Sequence, residues 1–275
     1  MAEKLKVHEA DFDSTVKQKK KGKRRGRILA LVIVLAGVAA GFYFCASKLF
    51  FVKSVLIKDV TEESKFVAAF PYTEEEMLQG MKLEKNSGLY DFTAAEAEKN
   101  ARINLPYIKE IDVSRRWPST VVAKTVLEVP TYYVIVDNDF YILSDEIKVL
   151  ERTESSEKIE LNSLIRLDYK TVHSCIVGEK LGISEDIQKI IFDIEAQLVE
   201  NGVKNEVTSI DVSDKFNLSI TYGTKYIVKL GDSKSLSTKL EFMKRIIEDR
   251  VGDVVGGVID VSDEKNREAI YKKFN

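Results

Sequence analysis

Residues 17–47 read KQKKKGKRRGRILALVIVLAGVAAGFYFCAS. Eight Lys or Arg residues stand between Lys17 and Arg27, and Ile28 to Ser47 then carries no charge at all. Twenty helical residues at ~1.5 Å rise span roughly 30 Å, the thickness of a bilayer's hydrocarbon core. No polar face interrupts the run, so a helix here suits lipid rather than the core of a globular domain. A cleaved secretory signal would have a shorter apolar region, ~7–15 residues, ending at a small-x-small site. Gly37-Val38-Ala39 offers such a site, but the apolar run continues past it through Phe44. Tyr43 and Phe44 before Cys45 do not suit a lipoprotein signal. The stretch therefore reads as an uncleaved signal anchor over residues 28–47 behind a basic, disordered tail over 1–27. Cationic flanks stay cytoplasmic, so the N-terminus is expected inside and everything from Lys48 outside.

Working outward, charge divides across that anchor. Residues 1–27 hold ten basic and four acidic side chains, which leaves 32 basic and 40 acidic in the remainder. Lys23, Arg24, Arg25 and Arg27 are placed to meet anionic lipid headgroups, at about 1 kcal/mol per contacting side chain. The acidic remainder argues against capture of nucleic acid or polyanionic wall polymers. Only two cysteines exist, Cys45 in the anchor and Cys175 far beyond it, so an intramolecular disulfide is not expected. His8 and His173 each lie apart from the other histidine, and no zinc site of ordinary spacing can be written around either.

Within the anchor, Gly37-x-x-x-Gly41 with Ala36 and Ala40 makes a smooth strip that a second transmembrane helix could approach closely.

Beyond the anchor the pattern alternates. Phe50 to Ile57 reads as a strand. Thr73-Glu74-Glu75-Glu76 and Thr93-Ala94-Ala95-Glu96 are capping boxes opening two helices, the second stopped by Pro106. Ile108 to Val113 and Thr120 to Glu128 follow as strands, giving a β-α-α-β-β unit. After Pro130, Tyr132–Val136 and Phe140–Leu143 form a hairpin around Asp137-Asn138-Asp139. Leu161 to Val177 holds short apolar groups without a clear period, and no structure is assigned to residues 151–183.

Ser184 is expected to cap a helix whose Ile187, Ile190, Ile191, Ile194 and Leu198 share one face, with Asn201-Gly202 ending it. Three strands then run over Val207–Val212, Leu218–Tyr222 and Tyr226–Leu230. Gly223-Thr224 reads as a two-residue hairpin loop. A helix over about Ser237–Arg250 precedes a terminal hairpin of Val258–Val261 and Glu268–Phe274. The fold class is α+β, with a boundary expected between Val129 and Pro130.

Catalytic chemistry finds little support. His173 serves no nucleophile elbow. Cys175 lies two residues away without orienting groups that the sequence announces. Gly252 to Gly257 neither opens a helix after a strand nor carries a Lys-Ser/Thr follower.

The segment Arg115-Arg116-Trp117-Pro118-Ser119-Thr120-Val121 resembles the FtsQ/DivIB family of bacterial cell-division proteins. Further stretches carry the same resemblance in order: Phe50-Phe51-Val52-Lys53-Ser54-Val55, Asn104-Leu105-Pro106-Tyr107-Ile108 and Tyr141-Ile142-Leu143-Ser144-Asp145. Lys229-Leu230-Gly231 with Ser237-Thr238-Lys239-Leu240, and Gly257-Val258-Ile259-Asp260-Val261, complete it. Glu128-Val129-Pro130 departs from the family by lacking an Arg, Asp59 to Tyr72 is longer than usual, and Ser262 stands where relatives often carry Arg.

The resemblance implies a single anchor, a POTRA domain over residues 48–129 and a β domain over 130–275. It implies a non-enzymatic divisome scaffold, with no cofactor. Its implied partners are the bitopic proteins DivIC/FtsB and FtsL and, through them, the septal wall synthase. The terminal strand is the expected binding edge, with Glu268, Ala269, Ile270, Tyr271, Lys272, Lys273 and Phe274 as candidate contacts. The competing readings are an envelope chaperone or secretion component, since POTRA domains occur there too, and an anchored wall hydrolase.

Overall fold

The computed structural model describes residues 26–44, 50–61, 70–161, 163–248, 256–263 and 270–273. The apolar stretch forms one helix, α1 (Gly26–Phe44), whose side chains are all exposed. It is long and apolar enough to cross a membrane. Among the described residues nothing covers that surface, as a lipid-facing helix requires.

The first folded unit is β1 (Ser54–Asp59), α2 (Glu74–Gly80), α3 (Ala94–Asn104), β2 (Ile108–Arg116) and β3 (Thr120–Leu127). The expected β-α-α-β-β order is observed, in a three-stranded sheet ordered β1-β3-β2 with β1 parallel to β3. The parallel pairing explains the two helices: parallel neighbours need a long crossover, and α2 and α3 supply it. Both capping boxes form, with the Thr73 and Thr93 side chains accepting from the Glu76 and Glu96 N–H groups while the Glu carboxylates reach back to the Thr N–H groups. Each cap stabilises its helix start by about 1 kcal/mol. Met77, Met81, Leu89, Ala97 and Ala101 then pack on Val121, Ala123 and Ile108. Strand pairing begins later than expected, at Ser54, because Phe50–Val52 is bonded instead to the 86–89 loop: Val52 N–H donates to Ser87 O and Leu89 N–H to Phe50 O.

At Pro130 the chain changes sheets. β4 (Pro130–Val136), β5 (Asp139–Ser144), β6 (Val149–Thr153), α4 (Glu157–Leu161), β7 (Ile165–Asp168), α5 (Glu185–Glu200), β8 (Val207–Asp211), β9 (Leu218–Tyr222), β10 (Tyr226–Gly231), α6 (Leu236–Ile246), β11 (Gly257–Asp260) and β12 (Ile270–Lys273) follow. Among the described residues the strands form one mixed sheet of nine, ordered β12-β11-β10-β9-β8-β7-β4-β5-β6. β7–β8 and β10–β11 are parallel pairs joined by crossovers through α5 and α6. The five expected apolar positions of α5 are all buried and share one core with Leu236, Leu240 and Met243 of α6, so both helices lie on the same sheet face.

Three local expectations are corrected. Ser184 occupies the N-cap of α5 but makes no capping bond; its side chain is bonded to the Asp186 carboxyl, which this contact and Lys215 hold below the usual carboxylate range. The β9–β10 loop has three residues, because Tyr222 pairs with Tyr226, and Gly223 takes the left-handed conformation that opens it (φ 57°). α6 as a regular helix ends at Ile246, short of the expected Arg250.

The other sheet face is covered near β4, β5 and β6. Ile142, Leu150, Ile159 and Leu164 cluster there, and Tyr107 from the first unit packs against them. Alternation along β5 explains the division: Leu143 faces the α5/α6 core while Ile142 faces Tyr107. Polar contacts frame this junction. Tyr107 Oη donates to Glu151 Oε2 at 3.0 Å, Lys109 meets Glu146 at 2.7 Å, and Lys148 Nζ reaches Glu128 Oε1 at 3.2 Å and the Ile108 carbonyl at 3.4 Å. Burial and the Glu151 charge push the Tyr107 phenol far up, so it stays a neutral donor.

Candidate partner-binding edge

β12 is one of the two end strands of the nine-stranded sheet. β12 runs antiparallel to β11, with Ile259 opposite Tyr271 and Val258 opposite Lys272. Among the described residues no strand lies beyond it, and none pairs with its outer row of N–H and C=O groups.

Two residues seat β12. Tyr271 turns inward, packs against the α5/α6 core and donates from Oη to the Gly256 carbonyl at 3.1 Å. Gly257 leaves room for it: a Cβ there would lie 2.5 Å from the Lys272 carbonyl oxygen and 2.6 Å from Tyr271 Cε2. The outward side chains differ in kind. Ile270 is 55% exposed, and Lys272 and Lys273 are exposed, a combination of apolar anchor and charge that hinders uncontrolled self-pairing. Glu268, Ala269 and Phe274, the remaining candidates, lie outside the described residues.

The edge depends on what holds β10 and β11. β10 ends in a bulge at Gly231 (φ 67°), and the next residue, Asp232, meets a buried lysine. Lys239 is 1% exposed in α6; its Nζ donates to the Asp232 carbonyl at 2.9 Å and to Oδ1 at 3.0 Å. That contact holds the Asp232 carboxyl below its ordinary range. The pair ties the start of the α6 crossover to the end of β10.

Of the other candidates, Arg27 is an exposed residue of α1, whereas Lys23, Arg24 and Arg25 lie outside the described residues. Gly37 and Gly41 face open space, with nothing within 4 Å of an added Cβ. His173 is exposed, and burial pushes the half-buried Cys175 thiol up to about 11, away from a reactive thiolate. Among the described residues no three His, Cys, Asp or Glu side chains are grouped to hold a metal.

Sequence reading missed the Glu128–Lys148 and Asp232–Lys239 pairs. The second left a trace: Lys239 falls on the apolar stripe of α6, three residues after Leu236 and four before Met243. The first pairs residues twenty apart with no periodic signature.

Fold and edge together define a class: an α+β protein with one N-terminal helix long and apolar enough to cross a membrane, followed by a small three-stranded sheet and a large mixed sheet. The comparisons narrow it. The chain is 26% identical over 260 residues to a Cell division protein DivIB of Clostridium botulinum (strain Hall), covering 92% of this chain and 94% of that one. A DivIB of the Loch Maree strain matches at 25% with the same coverage. One from Clostridium tetani (strain Massachusetts / E88) matches at 23% over 196 residues, covering 70% of this chain and 72% of that one. No protein-family model matches the chain. Likeness along nearly the whole length supports its assignment to the FtsQ/DivIB family of cell division proteins.

Proposed function

We propose that this cell division protein is a non-enzymatic scaffold, and that β12 is where it takes a DivIC/FtsB-like partner by strand addition. The observation that carries this reading is the open edge of the nine-stranded sheet, seated by Tyr271 and fringed by Ile270, Lys272 and Lys273. Likeness to DivIB proteins supports a division role, and α1 supports attachment to the membrane. In this reading residues 1–27 form the cytoplasmic tail, 28–47 the anchor, 48–129 the POTRA domain and 130–275 the β domain. The last two lie outside the cell at the septum, where FtsL-like proteins and the septal wall synthase would be reached through the same assembly. Lys23, Arg24, Arg25 and Arg27 fix the anchor against anionic headgroups.

Removing residues 268–275 should abolish co-purification of a DivIC-type partner, and Ile270→Asp should weaken it at least tenfold. Because Ile270 is already exposed, the point variant should keep its thermal midpoint within a few degrees of the parent. Unchanged partner recovery by the folded Ile270→Asp protein would sink the reading. A fluorescent fusion should form a midcell band; a uniform envelope signal opposes the division role.

The Gly37–Gly41 strip is proposed as the contact for a second transmembrane helix, because small residues at that spacing let two helix backbones approach closely. Gly37→Leu with Gly41→Leu should reduce recovery of membrane partners several-fold without changing insertion. Undiminished recovery rejects the strip as a docking site.

A further inference from the structure

The first unit carries an aromatic and basic cluster at the end where the chain arrives from α1. Phe50 sits edge-on to Trp117 (ring centroids 4.9 Å apart) and to Tyr90 (6.1 Å). Trp117 is 67% exposed and Tyr90 57% exposed, an unusual display for large rings in a folded domain. Arg115 lies over the Tyr90 ring at 5.6 Å and donates from Nε to the Leu89 carbonyl at 2.8 Å, and also bonds the Phe92 carbonyl. Lys53 and Arg116 are exposed beside them. Asp91 is the acidic neighbour, and its carboxylate accepts from the Gly88 N–H at 2.8 Å.

Topology fixes where this cluster faces. β1 and β3 start together, Ser54 opposite Thr120, and β2 ends beside them, so the 117–119 turn, the 86–92 loop and residues 50–53 share one end of the small sheet. Five residues separate Phe44, the last residue of α1, from Phe50. Six steps of chain reach at most ~20 Å, and the polar zone of one leaflet is roughly 5–8 Å deep. The cluster is thus tethered within reach of headgroups.

We propose that this end of the small sheet seats directly on the phospholipid headgroup layer of the leaflet it faces. Trp117 and Tyr90 enter the interface and Lys53 and Arg116 meet the phosphates. Aromatic rings with one polar edge partition to that depth. The two basic side chains supply local complementarity to phosphate on a portion of the chain that is acidic as a whole. The contact would set the tilt of both sheets relative to the membrane, because the junction at Tyr107 joins them.

Trp117 is the only tryptophan in the chain, so it reports its own position. The full chain is reconstituted into vesicles of phosphatidylcholine and phosphatidylglycerol carrying a nitroxide on the lipid headgroup in both leaflets. Trp117 emission should fall about twofold, and raising salt from ~0.1 to ~1 M, which shortens the Debye length from ~10 to ~3 Å, should partly restore it. The double variant Lys53→Glu with Arg116→Glu, at two exposed positions, loses two such contacts and should lower the docked-to-undocked ratio about thirtyfold, abolishing the quenching. Emission untouched by the headgroup nitroxide and fully open to dissolved acrylamide would overturn the proposal and leave the cluster for a protein partner. Quenching of equal depth in the double variant would likewise overturn it.

Discussion

Lys148→Met should destabilise the protein by about 3 kcal/mol, a large effect for one lysine. The reason lies in its partner. Glu128 is 5% exposed, and among the described residues its Oε2 has no hydrogen-bond partner. Lys148 bonds the other oxygen, and methionine would leave a carboxylate buried beneath the junction with its cationic partner gone. Glu128→Gln should cost less, because the lysine, at 16% side-chain exposure, retains the Ile108 carbonyl. The combined variant, Lys148→Met with Glu128→Gln, should recover most of the loss, and a double-mutant cycle in urea then isolates the coupling. Trp117 reports the first unit while far-UV circular dichroism reports both. In Lys148→Met the two probes should separate, since the residues joining the sheets have been weakened. Coincident transitions at the parent midpoint would show that the pair contributes nothing.

Asp232→Ala should cost about 2 kcal/mol, the scale of a hydrogen bond to a charged group, because the carboxylate is 37% exposed. It withdraws the carboxylate from a lysine with 1% exposure, although the backbone carbonyl of residue 232 remains as an acceptor. Lys239→Met reverses the asymmetry. Asp232 keeps 37% side-chain exposure, so water replaces the ammonium, and the loss should be smaller.

The pH dependence has a definite sign. The Asp232 carboxyl titrates lower in the folded protein than in the unfolded chain, mainly through its bond to Lys239. Its contribution is therefore present above the unfolded carboxylate value, near ~3.9, and disappears as pH falls through the lower folded value. The parent should lose stability between pH 4 and pH 2 (about the range over which carboxylates protonate) by more than Asp232→Ala does. Equal acid slopes for the two proteins would remove Asp232 from the account.

Much of the fold was legible, and the reasons are local. Thr73 and Thr93 were readable because a capping box places both partners within four residues. The stripe of α5 was readable because five isoleucine and leucine side chains repeat at helical spacing. Asp137 and Asn138 announced the β4–β5 turn and both adopt positive φ. What sequence order hid was adjacency: β7 inserts between β4 and β8, and β11 runs parallel to β10, so neighbours in the sheet are not neighbours in the chain. Residues 151–183 lacked a period because β6, α4 and β7 have four or five residues each, too few to establish one. At the edge, alternation identified a strand. The inward turn of Tyr271 and the room made by Gly257 depend on β11, and no residue of β12 encodes them alone.

The parallel pairing of β10 with β11 also makes the edge a product of distant parts of the chain. Among the described residues β12 pairs with β11 alone, and β11 pairs with β10, from which α6 separates it in the chain. Residues 270–273 form the edge only where β11 already lies beside β10. A peptide of residues 270–273 alone would therefore not reproduce the edge.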